Sequence, residues 1–342
     1  MTTKRKKVSA WSDWRWQLRH ALTDIDEVFC AVYGLNLPAT RTVQARYPVF
    51  LTPYALSQLT PSAPADPINL QMLPHPDELK AEPGIGPDPF AESGRAARCR
   101  GLKQRFPDRV LLMASARCAM NCRHCTRKNL LGSAETVNSL EQLAAAVDWV
   151  RQHPKVREVL ISGGDPLLLS DRKLIETVKA FAALPQIDAV RIGTRTLSTL
   201  PMRITPTLAA ALGRFRKVWV NTQFNHPREI TPEAASACAL LADAGIPVSN
   251  QSVLLKGVND SADTMFELCA KLQRNRVRPY YVFVCDPVAG IAPFRVPASR
   301  ARQIERELAA RLGGLAMPRF VADLPGARYK TPVSEYAHSP AQ

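Results

Sequence analysis

No stretch of this sequence stays apolar for long enough to cross a membrane. Behind the basic run Lys4-Arg5-Lys6-Lys7 there is no apolar segment of the kind a secretory signal needs. Low-complexity tracts are missing apart from the two tips, and so is any recognisable nucleic-acid-binding module. That last absence matters because the 342 residues carry 45 Lys and Arg against 30 Asp and Glu, a net charge of +15. Only Lys4–Lys7 is compact; the other basic residues are scattered, which argues for anionic small molecules, phosphates and carboxylates, over nucleic acid. Eight cysteines in so long a chain do not read as a disulfide framework, and three of them are clustered, which suits a reducing, cytoplasmic setting. With 46% apolar and 22% charged residues, what remains is a globular protein able to bury a core, as one large domain or two ordinary ones.

Residues 1–100 form an N-terminal region of their own. Trp11, Trp14, Trp16 and Leu18 open an aromatic, helical segment running to about Tyr33, and residues 60–93, rich in Pro and acidic side chains, read as a wrapping arm with short helices. Within 101–317 short apolar strands alternate with amphipathic helices, a rhythm that argues for an α/β fold with a parallel sheet. Strands are expected over 109–114, 157–162, 188–193, 217–223, 247–254 and 279–284. Helices are expected over 139–152, 171–183, 206–214, 232–244, 261–274 and 298–312. Ser139 with Gln142 forms a capping box; Thr205-Pro206 and Thr231-Pro232 each put a hydroxyl at the N-cap and proline at the first helical position. Gly245 stops the helix that Thr231 opens. Six such units fit a barrel of parallel strands, complete or partial, with chemistry at the strand C-termini. A doubly wound sheet has the same rhythm, and periodicity does not separate the two. Residues 318–342 add one short strand, 319–322, and a loop.

Directly after the first strand comes Cys118-Ala119-Met120-Asn121-Cys122-Arg123-His124-Cys125. Three thiolates at this spacing can hold three irons of a [4Fe-4S] cubane and leave the fourth iron open to a chelating ligand. A zinc site short of its fourth ligand is the duller alternative, although zinc more often uses paired C-x-x-C knuckles. The second strand ends in Ser162-Gly163-Gly164-Asp165-Pro166, where two glycines let a backbone come close to a ligand.

The cysteine spacing resembles that of radical S-adenosylmethionine (SAM) enzymes, in which SAM caps the open iron, and Ser162, Gly163, Gly164 and Asp165 resemble the segment that meets the SAM amino group. The runs Trp11-Ser12-Asp13-Trp14-Arg15-Trp16-Gln17, Cys122-Arg123-His124-Cys125-Thr126-Arg127, Ser162–Leu169, Asn225-His226-Pro227, Asn250–Leu255 and Arg278-Pro279-Tyr280-Tyr281 together resemble the lysine 2,3-aminomutase family, from Trp11 to about Val333. The resemblance implies a partial (β/α)6 barrel and an isomerase that moves an α-amino group to the β-carbon. It also implies three cofactors, the [4Fe-4S] cluster, SAM and pyridoxal 5′-phosphate (PLP), with an external electron donor.

Residue by residue, the resemblance makes Cys118, Cys122 and Cys125 the cluster ligands and Lys330 the lysine that binds PLP. Arg105 and Arg109 approach PLP and its phosphate, and His124 supports SAM or the cluster loop. Arg127 pairs the substrate α-carboxylate, for which a guanidinium fork is suited. Asp286 and Asp323 match the two aspartates that hold a side-chain ammonium, and a buried cation needs such partners. The expected substrate is therefore a cationic amino acid, L-lysine first and arginine second. A relative that forms β-lysine on a translation factor, and a nucleic-acid-modifying radical SAM enzyme, are the remaining alternatives. Cys238 matches an internal cysteine that longer members use at an intersubunit zinc site. With no cysteine after Cys285, a homo-oligomer without that zinc is expected, and Cys238 reads as a small buried helix residue.

Overall fold

The structure, a computed structural model, describes residues 9–33, 38–61, 63–92, 94, 97–130 and 135–336. The basic run Lys4–Lys7 and the last six residues of the 318–342 segment lie outside these.

One sheet organises the chain. Its strands are β1 (Ala97–Cys99), β2 (Leu102–Phe106), β3 (Arg109–Ser115), β4 (Glu158–Gly163), β5 (Ala189–Gly193), β6 (Val218–Thr222), β7 (Val248–Leu254), β8 (Val277–Val284), β9 (Arg319–Ala322) and β10 (Thr331–Pro332), and they lie side by side in chain order. Pairing is parallel from β3 through β9 and antiparallel at β1–β2, β2–β3 and β9–β10. A doubly wound sheet needs a point at which strand order reverses, and this order never reverses. The winding is that of a barrel. Because β1 and β10 are the two edges of the sheet, the barrel is open.

The six expected helices occupy the crossovers from β3 to β9: Leu140–Arg151, Asp171–Ala182, Pro206–Gly213, Pro232–Asp243, Ala262–Arg274 and Ala298–Ala309. Thr205 Oγ1 accepts from Leu208 N at 3.1 Å and Thr231 Oγ1 from Ala234 N at 3.2 Å, caps worth about 1 kcal/mol each. Gly245 leaves its helix at φ +78°, where a side chain would be strained. The capping box at Ser139 closes differently: Ser139 Oγ accepts from Gln142 N, but Gln142 Oε1 accepts from Asn138 N, one residue earlier than expected.

Alternation along the strands separates two environments. Val110, Leu112, Val159, Ile161, Val190 and Ile192 are buried in the core. The residues between them, Arg109, Leu111, Leu160, Ser162, Arg191 and Gly193, face a cavity inside the barrel.

The N-terminal aromatic segment is helical but broken, into Trp14–Arg19 and Ile25–Tyr33. Between them Leu22 bridges to Leu51, which itself bridges to Met120 inside the cysteine run. The arm carries the helices Pro53–Ser57 and Pro67–Met72 and a 3-10 turn, Pro76–Leu79. Val28, Leu51, Ile68, Met72 and Met120 share one small core, so this region packs onto the cysteine loop.

Candidate active site

A cavity of about 390 Å³ runs down the inside of the barrel, and every candidate residue named from the sequence lines it. It opens among the loops after the strands and reaches Arg109 at the start of β3, six residues or roughly 20 Å from the end of that strand.

At the upper end stand Cys118, Cys122 and Cys125. Burial pushes the Cys118 thiol well up and the Cys125 thiol up to about 11, with neighbouring negative groups adding to the shift. Arg195 Nη1 donates to Cys122 Sγ at 2.8 Å. His124 is buried and its imidazole is held well below its ordinary pKa, first by burial and then by Arg195 and Lys128. Donors from Gln223, Asn225 and Arg195 converge on its Nε2 at 3.1, 3.2 and 3.5 Å. The neutral ring therefore carries its hydrogen on Nδ1, a buried atom with no partner among the described residues.

The two glycines at the end of β4 have a structural use in addition to the one expected. Gly163 sits at φ +125°, and a Cβ there would overlap Ser115 O; a Cβ on Gly164 would lie 2.5 Å from Arg117 O. Both allow two backbones to touch. Gly164 N donates to Ser115 O at 2.6 Å and Asp165 N to Arg117 O at 2.7 Å, which clamps this loop to the start of the cysteine loop. Asp165 is likewise absorbed by the protein. Its carboxylate accepts from Thr194 Oγ1, Arg195 N, Thr196 N and Leu167 N, tying the β4 loop to the β5 loop. Ser162 faces the cavity beside Gly193.

Lower in the cavity Lys330 pairs with Asp323, whose two oxygens also accept from Arg105 at 2.8 and 3.0 Å. Burial lowers the Lys330 amine below its ordinary pKa, against the pull of Asp323. Burial would raise Asp323, but the Arg105 hydrogen bonds and the Lys330 charge hold its carboxyl below the usual range. Arg105 and Asp323, matched separately to cofactor and substrate, are thus partners in this structure. Asp286 is raised to about 6 by burial; a hydrogen bond from Thr126 Oγ1 at 2.8 Å opposes that shift, and Asp323 adds to it. Arg109 pairs with its neighbour Asp108 at 2.9 and 3.0 Å.

Several partners of these residues lie far away in the chain and carry no motif. Arg127 forms a two-pronged pair with Glu92, at 2.6 and 2.7 Å. Glu78, fully enclosed, receives both Arg123 and Lys128 from the cysteine loop. Arg195 also meets Gln71 and Glu229. Only position hinted at any of them: Arg195 and Gln223 follow strand C-termini, where a barrel gathers its chemistry.

The Radical SAM superfamily model matches residues 113–269. L-lysine 2,3-aminomutase of Clostridium subterminale is 42% identical over 94% of this chain and 78% of its own. The chain belongs to the lysine 2,3-aminomutase family. Within that family, the L-lysine 2,3-aminomutase of Escherichia coli K12 is 33% identical over 94% of both chains, and the glutamate 2,3-aminomutase of Clostridioides difficile is 35% identical over 94% of this chain and 76% of its own. The protein is therefore an isomerase of the radical SAM aminomutases, which work with a [4Fe-4S] cluster, SAM and PLP.

The cavity fits all three groups. Among the described residues no three His, Cys, Asp or Glu side chains converge on a point as they would around one metal ion. Three thiols lining one cavity supply the number and kind of ligand that a cubane with one open iron needs. The unpartnered His124 Nδ1 offers a donor beside them for a bound ligand. A lysine whose pKa is lowered by burial suits condensation with an aldehyde, and Arg105, Arg109 and Arg191 line the same space for an anion.

Proposed function

We propose that the protein converts L-lysine to β-lysine by moving the α-amino group to the β-carbon. The observation that carries this reading is the company of Asp286 and Asp323: two carboxylates line one cavity with the three cysteines and with Lys330. A cationic side chain taken out of water needs such partners, and an acidic one would be repelled.

When bound, the cluster and SAM supply the radical that abstracts and returns a hydrogen atom, and PLP supplies the ring that carries the migrating nitrogen. The chain does the positioning. Cys118, Cys122 and Cys125 hold the cluster, with the Ser162–Asp165 loop and His124 beside it, and Lys330 holds PLP, its phosphate facing Arg105 and Arg109. Arg127 takes the substrate α-carboxylate in its guanidinium fork, and Asp286 and Asp323 grip the distant ammonium. Held at both ends, the substrate presents its β-carbon in one orientation. The clustered free cysteines support a reducing, cytoplasmic setting with a one-electron donor. Cys238 is buried in its helix, as expected of a small core residue.

Anaerobic incubation with SAM, PLP, a reductant and each of lysine, arginine and glutamate, analysed for β-amino acids, tests the proposal. β-Lysine is expected. Product from arginine alone would reassign the two carboxylates to a guanidinium, and product from glutamate alone would overturn their roles.

A further inference from the structure

Arg195 stands at the C-terminal end of β5, with its side chain 8% exposed. Five contacts hold it there, one of them the 3.5 Å approach of Nη1 to His124 Nε2 already described. Nη1 donates to Cys122 Sγ at 2.8 Å, Nη2 to Gln71 Oε1 at 2.5 Å and to Glu229 Oε1 at 2.8 Å, and its backbone N donates to Asp165 at 2.8 Å. Glu229 is fixed in turn, because its second oxygen accepts from Asn225 N at 2.6 Å and His226 N at 2.7 Å. The guanidinium is thus a preorganised cation aimed at one sulfur of the triad. It is not a side chain free to follow a ligand.

We infer that Arg195 sets the reduction potential of the cluster through its N–H···Sγ bond to Cys122 and its buried charge. The inference rests on the reading of Cys122 as a cluster ligand. Hydrogen bonds to cluster sulfurs and the net charge around a cluster are two of the factors that fix its potential. Reduction adds one negative charge to the cluster. A fixed cation and an N–H donor at a ligand sulfur favour the reduced form, the more so where water is excluded. Arg195 therefore raises the potential and eases the entry of the electron that the reaction requires. Glu229, which neutralises Arg195, restrains the effect, so the two residues act in opposite directions.

The test is a redox titration of the reconstituted, SAM-free protein, followed by the electron paramagnetic resonance signal of the reduced cluster, with iron and sulfide assayed in each variant. Arg195→Gln keeps an N–H donor but removes the charge; the ratio of reduced to oxidised cluster at fixed ambient potential should fall about tenfold, a midpoint ~59 mV more negative for one electron. Arg195→Lys keeps the charge and should recover most of that shift. Glu229→Gln should move the midpoint the other way. An unmoved midpoint in Arg195→Gln with wild-type iron and sulfide overturns the inference, as does a shift that shows only when SAM is added. If Arg195→Gln fails to hold a cluster, Glu229→Gln decides: a positive shift supports the inference and an unmoved midpoint overturns it. Wild-type protein that takes up no cluster would overturn the cysteine assignment itself, an outcome the iron assay distinguishes.

Discussion

Asp286 offers a test in which activity and stability move in opposite directions. Replacing it with Asn keeps the shape and an oxygen to accept the Thr126 hydroxyl, but removes the charge. The wild-type carboxyl is raised from 3.8 to about 6, chiefly by burial, with Asp323 adding to the shift and the Thr126 hydrogen bond opposing it. A difference of about 2 units at 1.36 kcal/mol per unit is about 3 kcal/mol. Because the folded-state pKa lies above the unfolded one, the native protein binds the proton more tightly than the unfolded chain between about pH 4 and pH 6. Stability contributed by Asp286 is therefore lost as pH rises through that window, and the deficit persists at neutral pH. Asp286→Asn should be more stable than wild type at pH 7.5 by up to about 3 kcal/mol, and the advantage should vanish near pH 4. Paired thermal melts at the two pH values, without added lysine, read this directly.

Activity should move the other way. Removing one partner of a buried charge pair costs about 2–5 kcal/mol, which at 1.4 kcal/mol per decade is roughly a 30- to 4,000-fold loss of kcat/KM for lysine. In the wild type kcat/KM for lysine should also fall toward acid below pH ~6, as the free enzyme's Asp286 takes up its proton. That acid limb should be missing from the variant. A variant that is less stable at pH 7.5, or one that turns over lysine as well as wild type, would refute the argument.

Three further substitutions probe neighbouring contacts. Glu92→Gln strips Arg127 of its ionic anchor; charge-assisted bonds of this kind are worth about 1.5–3 kcal/mol, so KM for lysine should rise roughly 10- to 150-fold with kcat little changed in steady-state assays. Lys330→Ala should abolish the visible absorbance that PLP gains on binding as well as all turnover, which a spectrum of the reconstituted variant checks. Glu78→Gln leaves Arg123 and Lys128 buried without a negative partner, at a cost of about 3–5 kcal/mol. Urea unfolding should show that loss, and iron uptake on reconstitution should fall with it, because both cations belong to the cysteine loop.

Much of the barrel is legible in the sequence because its signals are local. A hydroxyl before proline opens two helices, Gly245 closes one, and the buried faces of β4 and β5 show as alternate valine and isoleucine. The hairpin β1–β2 is not legible, since Ala97–Phe106 is basic and polar and shows no periodic apolar face. It becomes strand only because β3 presents an edge to pair with, a tertiary effect that overrides propensity. Strand order is equally hidden, as a rhythm of strand and helix does not say which strands are neighbours. The same division runs through the site. Cysteines three and four residues apart are visible as a motif. The pairs Arg127–Glu92 and Arg195–Glu229 span 35 and 34 residues of chain, and nothing in either segment announces the other. Gly163 and Gly164 carry a further role that the motif does not announce: they allow contact with Ser115 and Arg117, which only the folded β3–β4 pairing brings near.

The pairing pattern explains how a cavity built for two charged ends stays folded when empty. Uncompensated buried ions cost several kcal/mol each, and the protein covers most of its own: Glu92 occupies Arg127, while Lys330 and Arg105 occupy Asp323. A distant substrate ammonium would meet at Asp323 a group already satisfied by internal cations, whereas Glu92 grips Arg127 through Nε and Nη2 and so orients the guanidinium. On the proposed roles, committing the Lys330 amine to PLP would remove one of the two cations that Asp323 faces and leave it paired with Arg105. Two cavity carboxylates lack an ion pair among the described residues, and they differ in what replaces it. Asp165 accepts from a hydroxyl and three backbone N–H groups, whereas Asp286 has one hydroxyl donor, and burial raises its pKa to about 6. With so little to offset its charge, Asp286 is the carboxylate that an arriving cation would stabilise most, and on the proposed function the preference for a cation is expected to turn on it.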